Sequence, residues 1–272
     1  MPDIVPGGSD TLVPDTPERD TGRVRDERET GGRWRRHQRH EHRAPDPALA
    51  PWVDHLWAVT WDYATPYAQK VPPSVSVHLT AREGAPPHWH GVTTRHRTRG
   101  LSGRGGVVGA ALRPGLARDL LGGPVARWTD ASVPAGGPAG IVTLDALVDW
   151  LADRLPAAPA PAALEAAAAV GIARDEPALV RVEDLADRCG THLRRLQRLF
   201  AEHVGVGPKW VLRRFRLREV TDRMAAGRPI DWAGLAHELG YADQSHLVRD
   251  VTGLLGETPT AYAARYPPAE IL

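Results

Sequence analysis

Arginine and glutamine side chains gather on one face of a short helical stretch near residue 195. An apolar stripe repeats there at helical spacing, formed by Leu193, Leu196, Leu199 and Phe200. The stripe leaves four polar side chains on the opposite face: Arg194, Arg195, Gln197 and Arg198. Guanidinium and carboxamide groups can form paired hydrogen bonds with guanine and adenine edges in the major groove of DNA. A merely solvated helix face is the alternative interpretation.

The outline around this stretch occurs twice in the chain. Residues 185–190 end in Gly190 and are echoed fifty positions later by residues 235–240, which end in Gly240. Glycine is favoured after a helix because the left-handed conformation there leaves no room for a Cβ. A helix, a short polar turn and a second helix form the outline of a helix-turn-helix, so two copies predict DNA reading in two places. The second copy turns four polar side chains outward: Gln244, Ser245, His246 and Arg249.

A long helix is predicted between the two copies, over residues 208–225. Pro208 suits its first turn, and at about 1.5 Å per residue the helix spans roughly 25 Å. Such a rod can hold two reading helices about one DNA turn, roughly 34 Å, apart. Residues 188–218 contain nine Lys or Arg and one acid, Glu202, which is the footprint of phosphate contact. Contacts with DNA phosphate are predicted for Arg195, Lys209, Arg213, Arg214 and Arg216.

The composition limits the class of protein. The formal net charge is only +1 and 42% of residues are hydrophobic, so the basic stripe, and not the whole chain, indicates nucleic acid. Cys189 is the only cysteine, which excludes an intrachain disulfide and fits a reducing cytosol. The start of the chain has no basic stretch followed by an apolar run, so we expect no signal peptide, and no segment approaches the roughly 18 apolar residues of a membrane span. We therefore expect a cytoplasmic protein with no membrane partner and no cofactor.

The chain is predicted to have the α+β fold class, with a β-rich N-terminal domain followed by an all-α domain. Residues 1–44 are expected to be a disordered tail, whose basic run at 33–40 is better explained as solvated than as nucleic-acid-binding. Residues 45–155 are predicted to be a β-rich sensing domain. One strand is expected to end at residue 61, and further strands are expected at 75–80, 88–94 and 107–112, with a short helix near 116–121 and a helix at 143–155. An Ala/Pro-rich linker with a short helix follows at 156–176, and the helical DNA-binding domain at 177–268.

Two patterns in the β-rich half have competing interpretations. The glycines of Gly103-x-Gly105-x-x-x-Gly109 suggest a phosphate loop, but a strand follows them and not a helix, so a tight β-turn is favoured. His88 and His90 alternate on a strand and could join His96 around a metal. No cysteine or carboxylate stands nearby to complete the set, so no metal is predicted. Aromatic residues here are expected in the core or in a ligand pocket, for which the candidates are Trp57, Trp61, His78 and Trp89.

The C-terminal third of the chain resembles the AraC/XylS family of transcription regulators. The resemblance rests on both Leu-Ala…Gly elements, on residues 205–208 before the long helix, on 244–247 after Gly240-Tyr241, and on 256–259. It implies base-edge contacts by Arg194, Gln197 and Arg198, and by Gln244, Ser245, His246 and Arg249. The chain departs from the family pattern at Leu247, Val251 and His192, where the family favours an aromatic, Phe and a serine cap. These departures predict a smaller second core and a cap supplied by Thr191.

The N-terminal half resembles a domain of unknown function that often precedes such DNA-binding domains. The matching residues include 72–75, 101–109 and 113–115. In the wider family, domains at this position sense small molecules or dimerise. The resemblance therefore implies double-stranded DNA as the partner, and a small-molecule effector, RNA polymerase and a second copy of the chain as further candidates.

Two other classes of protein compete with a sequence-specific regulator. A non-specific or architectural DNA binder would use the same basic stripe. A DNA alkylation-repair protein needs a reactive thiolate, and Cys189, at the end of an apolar helix face, does not suit that chemistry. We therefore predict that the protein is not an enzyme and has no catalytic residues.

Overall fold

The computed structural model describes residues 26–29 and 31–266. Its N-terminal half contains an antiparallel sheet with the strands β1 (Gln38–Arg43), β2 (Val53–Val71), β3 (His78–Arg82), β4 (Ala85–His90), β5 (Arg97–Leu112) and β6 (Ser132–Pro134). The spatial order is β1-β2-β5-β3-β4-β6. Three short 3-10 helices cover Glu27–Glu29, Arg33–Arg36 and Val125–Trp128.

The α-helices follow the sheet, which confirms the predicted α+β fold class. They are α1 (Leu144–Ala152), α2 (Pro161–Asp175), α3 (Val182–Arg188), α4 (Leu193–His203), α5 (Pro208–Ala225), α6 (Trp232–Glu238), α7 (Gln244–Leu255) and α8 (Pro259–Ala263). None of the helices in the described part of the chain combines the length and the apolar character needed to cross a membrane.

The sheet has one face in the core and one outside it. Leu56, Ala110 and Leu79 are neighbours on β2, β5 and β3, and all three are fully buried in the core. The adjacent row, turned the opposite way because side chains alternate along a strand, consists of Trp57, Gly109 and Thr80. We call the side that carries this second row the outer face.

The glycine pattern at 103–109 lies inside β5, so the prediction of a tight turn is wrong. A Cβ on Gly109 would come within 2.4 Å of the Trp57 ring, and one on Gly105 equally close to the Trp61 ring. These glycines are therefore needed because indole rings from β2 lie over the bare backbone of β5.

The predicted disordered tail is too long. Residues 38–43 form β1, which pairs with β2 from Gln38 opposite Trp61 to Arg43 opposite Leu56. Gln38 is buried, and its amide donates a 2.7 Å hydrogen bond to the Tyr63 hydroxyl. Composition missed this strand because its stability comes from backbone pairing with a distant partner. Two short 3-10 helices, Glu27–Glu29 and Arg33–Arg36, also lie in the predicted tail, whereas 1–25 and 30 lie outside the described residues.

Two other predictions need correction. Residues 116–121 do not form a helix, because 116 and 117 are irregular and 118–122 form turns. The segment predicted as a linker contains α2, fifteen residues long, which buries an alanine-rich face: Ala163, Ala166, Ala169, Val170 and Ala173. The loop at Gly115 (φ 98°) packs on α2 so closely that a Cβ would lie 2.7 Å from the Ala167 nitrogen. The helix is thus a central part of the core.

The hydrophobic core is divided differently from the predicted domains. One cluster joins the inner face of the sheet with α1, α2 and the first helix-turn-helix unit, including Leu196 and Phe200 of α4. A separate cluster fills the second unit, including Leu247 and Val251 of α7. The first unit therefore shares its core with the sheet, whereas the second unit has a core of its own.

Candidate nucleic-acid interface

The first unit consists of α3, a turn at Gly190 and α4. Gly190 has φ 62°, the left-handed conformation expected after the first helix. Arg194, Gln197 and Arg198 of α4 are exposed, and none forms a hydrogen bond or ion pair with another described residue. The predicted cap is shifted by one residue, because Nδ1 of His192 accepts the 3.2 Å hydrogen bond from the Arg195 amide.

The second unit repeats this arrangement with α6, Gly240 and α7. Asp243 caps α7 by accepting a 2.7 Å hydrogen bond from the His246 amide. Gln244, Ser245 and Arg249 are exposed on this helix. His246 is exposed too, and its ring lies edge-on to Tyr241 at 5.1 Å between centroids.

The helix α5 connects the two units and contributes to both cores. Val211, Leu212 and Phe215 from its first half belong to the cluster shared with the sheet. Leu217, Val220 and Met224 from its second half belong to the cluster of the second unit. Its eighteen residues correspond to about 27 Å, so the rod predicted from the sequence is present at the predicted length.

Three arginines of α5 predicted to contact phosphate are engaged by other parts of the protein: Arg213, Arg214 and Arg216. Arg213 pairs through Nε with the carboxylate of Asp250 on α7. The guanidinium of Arg216 lies 4.6 Å from the centre of the Tyr241 ring, and the Tyr241 hydroxyl donates to Asp250 at 2.8 Å. These contacts attach α5 to the second unit.

Arg214 faces the sheet domain. Its Nε donates a 2.6 Å hydrogen bond to the Pro73 carbonyl, and burial lowers the pKa of its guanidinium to about 10. Of the remaining candidates for phosphate contact, Lys209 is exposed, and Arg195 is exposed but paired with Glu165 of α2 at 2.5 Å. We therefore retain only Lys209 and Arg195 as candidates.

Residues 185–265 match a sequence family described as a helix-turn-helix domain. Residues 185–265 form an AraC-type helix-turn-helix domain. Residues 41–134 match a second family, described as a domain of unknown function (DUF6597). Both matches agree with the resemblances seen in the sequence. A comparison with curated proteins found no match.

Solved structures of other proteins resemble the chain at low identity. Fatty-acid-bound ToxT from Vibrio cholerae strain SCE256 is 12% identical over 86% of this chain and 98% of that one, with a TM-score of 0.43. A probable AraC family transcriptional regulator from Rhodopseudomonas palustris CGA009 is 22% identical over 37% and 99%, with a TM-score of 0.32. The C-terminal domain of AraT, a response regulator from Geobacillus stearothermophilus, is 16% identical over 38% and 90%, with a TM-score of 0.34. With every TM-score below 0.5, these resemblances carry no functional argument.

The first unit of the AraC-type domain joins the sheet domain mainly through apolar packing. Gly205, at the end of α4, has φ 98°, and a Cβ there would lie 2.9 Å from the Val125 side chain. The Thr129 hydroxyl donates a 2.6 Å hydrogen bond to the Gly205 carbonyl. Together with the shared cluster, these contacts make the first unit an extension of the sheet domain.

The second unit of the AraC-type domain is held to the sheet by a polar cluster that we call the clamp: Lys70, Glu257 and Arg265. One oxygen of Glu257 lies 2.9 Å from Lys70 Nζ and 2.7 Å from the Arg265 guanidinium, and the three side chains are 13–18% exposed. Burial alone would raise the pKa of Glu257, but hydrogen bonds from Lys70 and Arg265 outweigh it, and the pKa is lowered. Sequence reasoning missed this cluster because Lys70 is 187 positions from Glu257.

The four candidates for a ligand pocket are not on one surface. Trp57 and His78 lie on the outer face with their ring centres 6.2 Å apart, and Trp61 follows Trp57 on the same side of β2. Trp89 pairs with Leu79 and is buried in the core on the opposite face, so including it in the pocket was wrong. The four residues cannot line one wall, because the alternation of side chains along the strands places Trp89 on the face opposite the other three.

The histidines considered for a metal site are also separated. His88 and His90 share the outer face, as their spacing predicted, with ring centres 6.4 Å apart. His96 lies elsewhere, packed against Gly256 of the second unit. The described residues contain no group of three side chains placed to hold a metal ion.

Proposed function

We propose that this protein is a DNA-binding transcription regulator that reads two adjacent major-groove segments. The observation that carries the proposal is the pair of exposed polar helix faces, on α4 and α7, attached to the two halves of one helix, α5. The AraC-type domain supports it, because domains of this type bind DNA. The protein would act in the cytoplasm, with double-stranded DNA as its partner.

Base reading in this proposal is divided between the two helices. Arg194 and Arg198 present guanidinium groups suited to guanine, and Gln197 presents a carboxamide suited to adenine. The second helix contributes Gln244, Ser245, His246 and Arg249 to the neighbouring segment. Lys209 and Arg195 are the proposed phosphate contacts, and Arg195 must exchange Glu165 for a phosphate.

Control by the N-terminal half follows from the shared core. A change in the sheet domain reaches the first unit directly, because Phe200 and Leu196 pack in the same cluster as the sheet. We propose that a small-molecule effector acts through this connection. The proposal also includes a homodimer and contact with RNA polymerase, which only the family resemblance supports.

Competition binding tests the proposal against a non-specific DNA binder. Binding sites selected from random duplexes are compared with unselected DNA at physiological salt. We expect the selected site to bind roughly 10³-fold or more tightly than random DNA. Equal affinities would support the non-specific alternative.

Replacing Arg198 with alanine is expected to weaken binding to the selected site by about 1–3 kcal/mol and to relax base preference at one position, because a base contact is lost. Lys209→Ala is the matched control, since loss of a phosphate contact weakens all sequences alike and reduces the salt dependence. The dissociation constants of both variants for selected and random DNA are measured by fluorescence anisotropy at several salt concentrations. Equal losses on selected and random DNA for Arg198→Ala would remove this residue from the reading set.

A further inference from the structure

The outer face of the sheet carries two neighbouring rows of side chains that the DNA-binding function does not use. In the first row, Trp57 of β2 and Thr80 of β3 flank Gly109 of β5. In the second row, His78 of β3 lies opposite His90 of β4. The rows are adjacent, and the Trp57 and His78 rings meet edge to face.

Two nitrogen atoms at this contact are buried without a hydrogen-bond partner among the described residues. They are Nε1 of Trp57 and Nδ1 of His78. A buried donor without a hydrogen-bond partner is unfavourable, so these two nitrogens call for an explanation. The neighbouring His90 differs, because its two nitrogens bond to the Thr80 hydroxyl at 2.7 Å and the Ser132 hydroxyl at 2.8 Å.

Both unmet nitrogens are assigned as donors. The indole nitrogen can only donate. Burial, followed by the charges of His55 and Arg99, lowers the pKa of His78 to about 4, so its ring is neutral and carries one proton at pH 7. The other ring nitrogen, Nε2, lies 3.1 Å from the Ser74 hydroxyl, whereas the alternative acceptor of that hydroxyl, the Ser76 carbonyl, is 3.4 Å away. We assign the Ser74 proton to Nε2, the nearer of the two acceptors, and this assignment places the ring proton of His78 on Nδ1.

The surroundings favour an anionic group next to an apolar body. The charge of Arg99 contributes to lowering the pKa of both His78 and His90, so a guanidinium lies near this face. The Trp57 ring covers the backbone at Gly109 and provides an apolar aromatic surface beside the two donors, and the Trp61 ring covers the same strand four residues away, at Gly105.

We propose that the outer face binds a small organic carboxylate, whose oxygens accept hydrogen bonds from Trp57 Nε1 and His78 Nδ1 while its apolar part lies on the indole rings. This assigns a chemical class to the effector, and the regulatory role of the ligand rests on the proposed function. The binding itself does not, and it can be measured without DNA.

Calorimetric titration of the full chain with phenylacetate and 4-phenylbutyrate tests the site, with 4-phenylbutan-1-ol as the neutral counterpart. We expect at least one carboxylate to bind, and the alcohol to bind at least tenfold more weakly. Trp57→Phe, which keeps a ring but removes the donor, should reduce carboxylate affinity at least tenfold. His78→Gln, which can keep the Ser74 contact but leaves nothing at the Nδ1 position, should do the same.

Trp128→Phe is the matched control, because Trp128 also has a buried indole nitrogen without a partner among the described residues but packs against Gly91. Its affinity for the carboxylate should equal that of the wild type. Absence of carboxylate binding, equal binding of the alcohol, or equal loss in Trp128→Phe would overturn the site. Binding that leaves the affinity for the selected DNA site unchanged would overturn the effector role alone, and failure to prefer any DNA site would instead refute the proposed function.

Discussion

Replacing Phe200 with alanine is expected to destabilise the sheet domain and the first helix-turn-helix unit together. The side chain is fully buried in the cluster that both share. Removing a buried phenylalanine typically costs about 3–5 kcal/mol, through lost burial and the cavity that remains. Hydrogen exchange measured by mass spectrometry should show faster exchange in β5 as well as in α3 and α4, because loss of the common core weakens each side.

Leu247→Ala is the matched control for this prediction. Leu247 is also fully buried, but in the separate cluster of the second unit. The expected cost is about 2–5 kcal/mol, and the faster exchange should be confined to α6, α7 and α8. If Phe200→Ala accelerated exchange in α3 and α4 while β5 remained protected, the sheet and the first unit would not form one cooperative unit.

Replacing Glu257 with alanine is expected to loosen the docking of the second unit on the sheet domain, which is also held by the backbone hydrogen bond from His96 to the Leu254 carbonyl. Lys70 and Arg265 would keep their positive charges in a largely buried position without the carboxylate that both contact. Removing one partner of a buried ion pair costs about 3–5 kcal/mol, and the partial exposure of these side chains places the expected value near the lower limit. Exchange at the end of β2 and in α8 should increase, while β5 and α4 keep their protection.

Glu238→Ala is the control for the clamp. Its carboxylate lies 2.7 Å from Arg223 on the surface of the second unit and is 54% exposed. Exposed pairs of this kind contribute about 0–1 kcal/mol, so exchange at β2 and α8 should not change. Equal effects of the two substitutions would show that Glu257 contributes no more than a surface carboxylate.

The clamp also predicts how docking depends on pH. The pKa of Glu257 is lowered in the folded protein, so its contribution is present at neutral pH and is lost as pH falls through that lowered pKa. Docking of the second unit should therefore weaken only in acid, as pH falls from the ordinary titration range of a glutamate to the lowered pKa of Glu257. Glu257→Gln should remove this dependence, which exchange measurements at several pH values can check after correction for intrinsic rates.

The helices of the AraC-type domain were predictable because their signals are local. The predicted bounds 208–225 are those of α5. Pro208 in the first turn, a left-handed Gly240 and the caps Asp243 and Thr258 each act within a few residues. Such features depend little on the rest of the fold.

The strands were less predictable because their partners are distant in sequence. β1 has polar residues throughout and was assigned to a tail, yet it pairs with β2 over six residues. The glycines of β5 suggested a turn, and only the position of the Trp57 and Trp61 rings explains why a strand needs them. In each case the deciding contact comes from another strand.

The arginines of α5 show which of their properties the sequence determined and which the tertiary structure decided. The sequence alone determined that they lie on one long helix between two reading helices, because helical spacing and the initial proline are local properties. Only the tertiary structure decided their partners: Asp250 for Arg213, the Pro73 carbonyl for Arg214 and the Tyr241 ring for Arg216. The physical reason is that side chains of α5 reach α7 through Asp250 and the sheet domain through Pro73, so a charged side chain meets whatever group those elements bring to it.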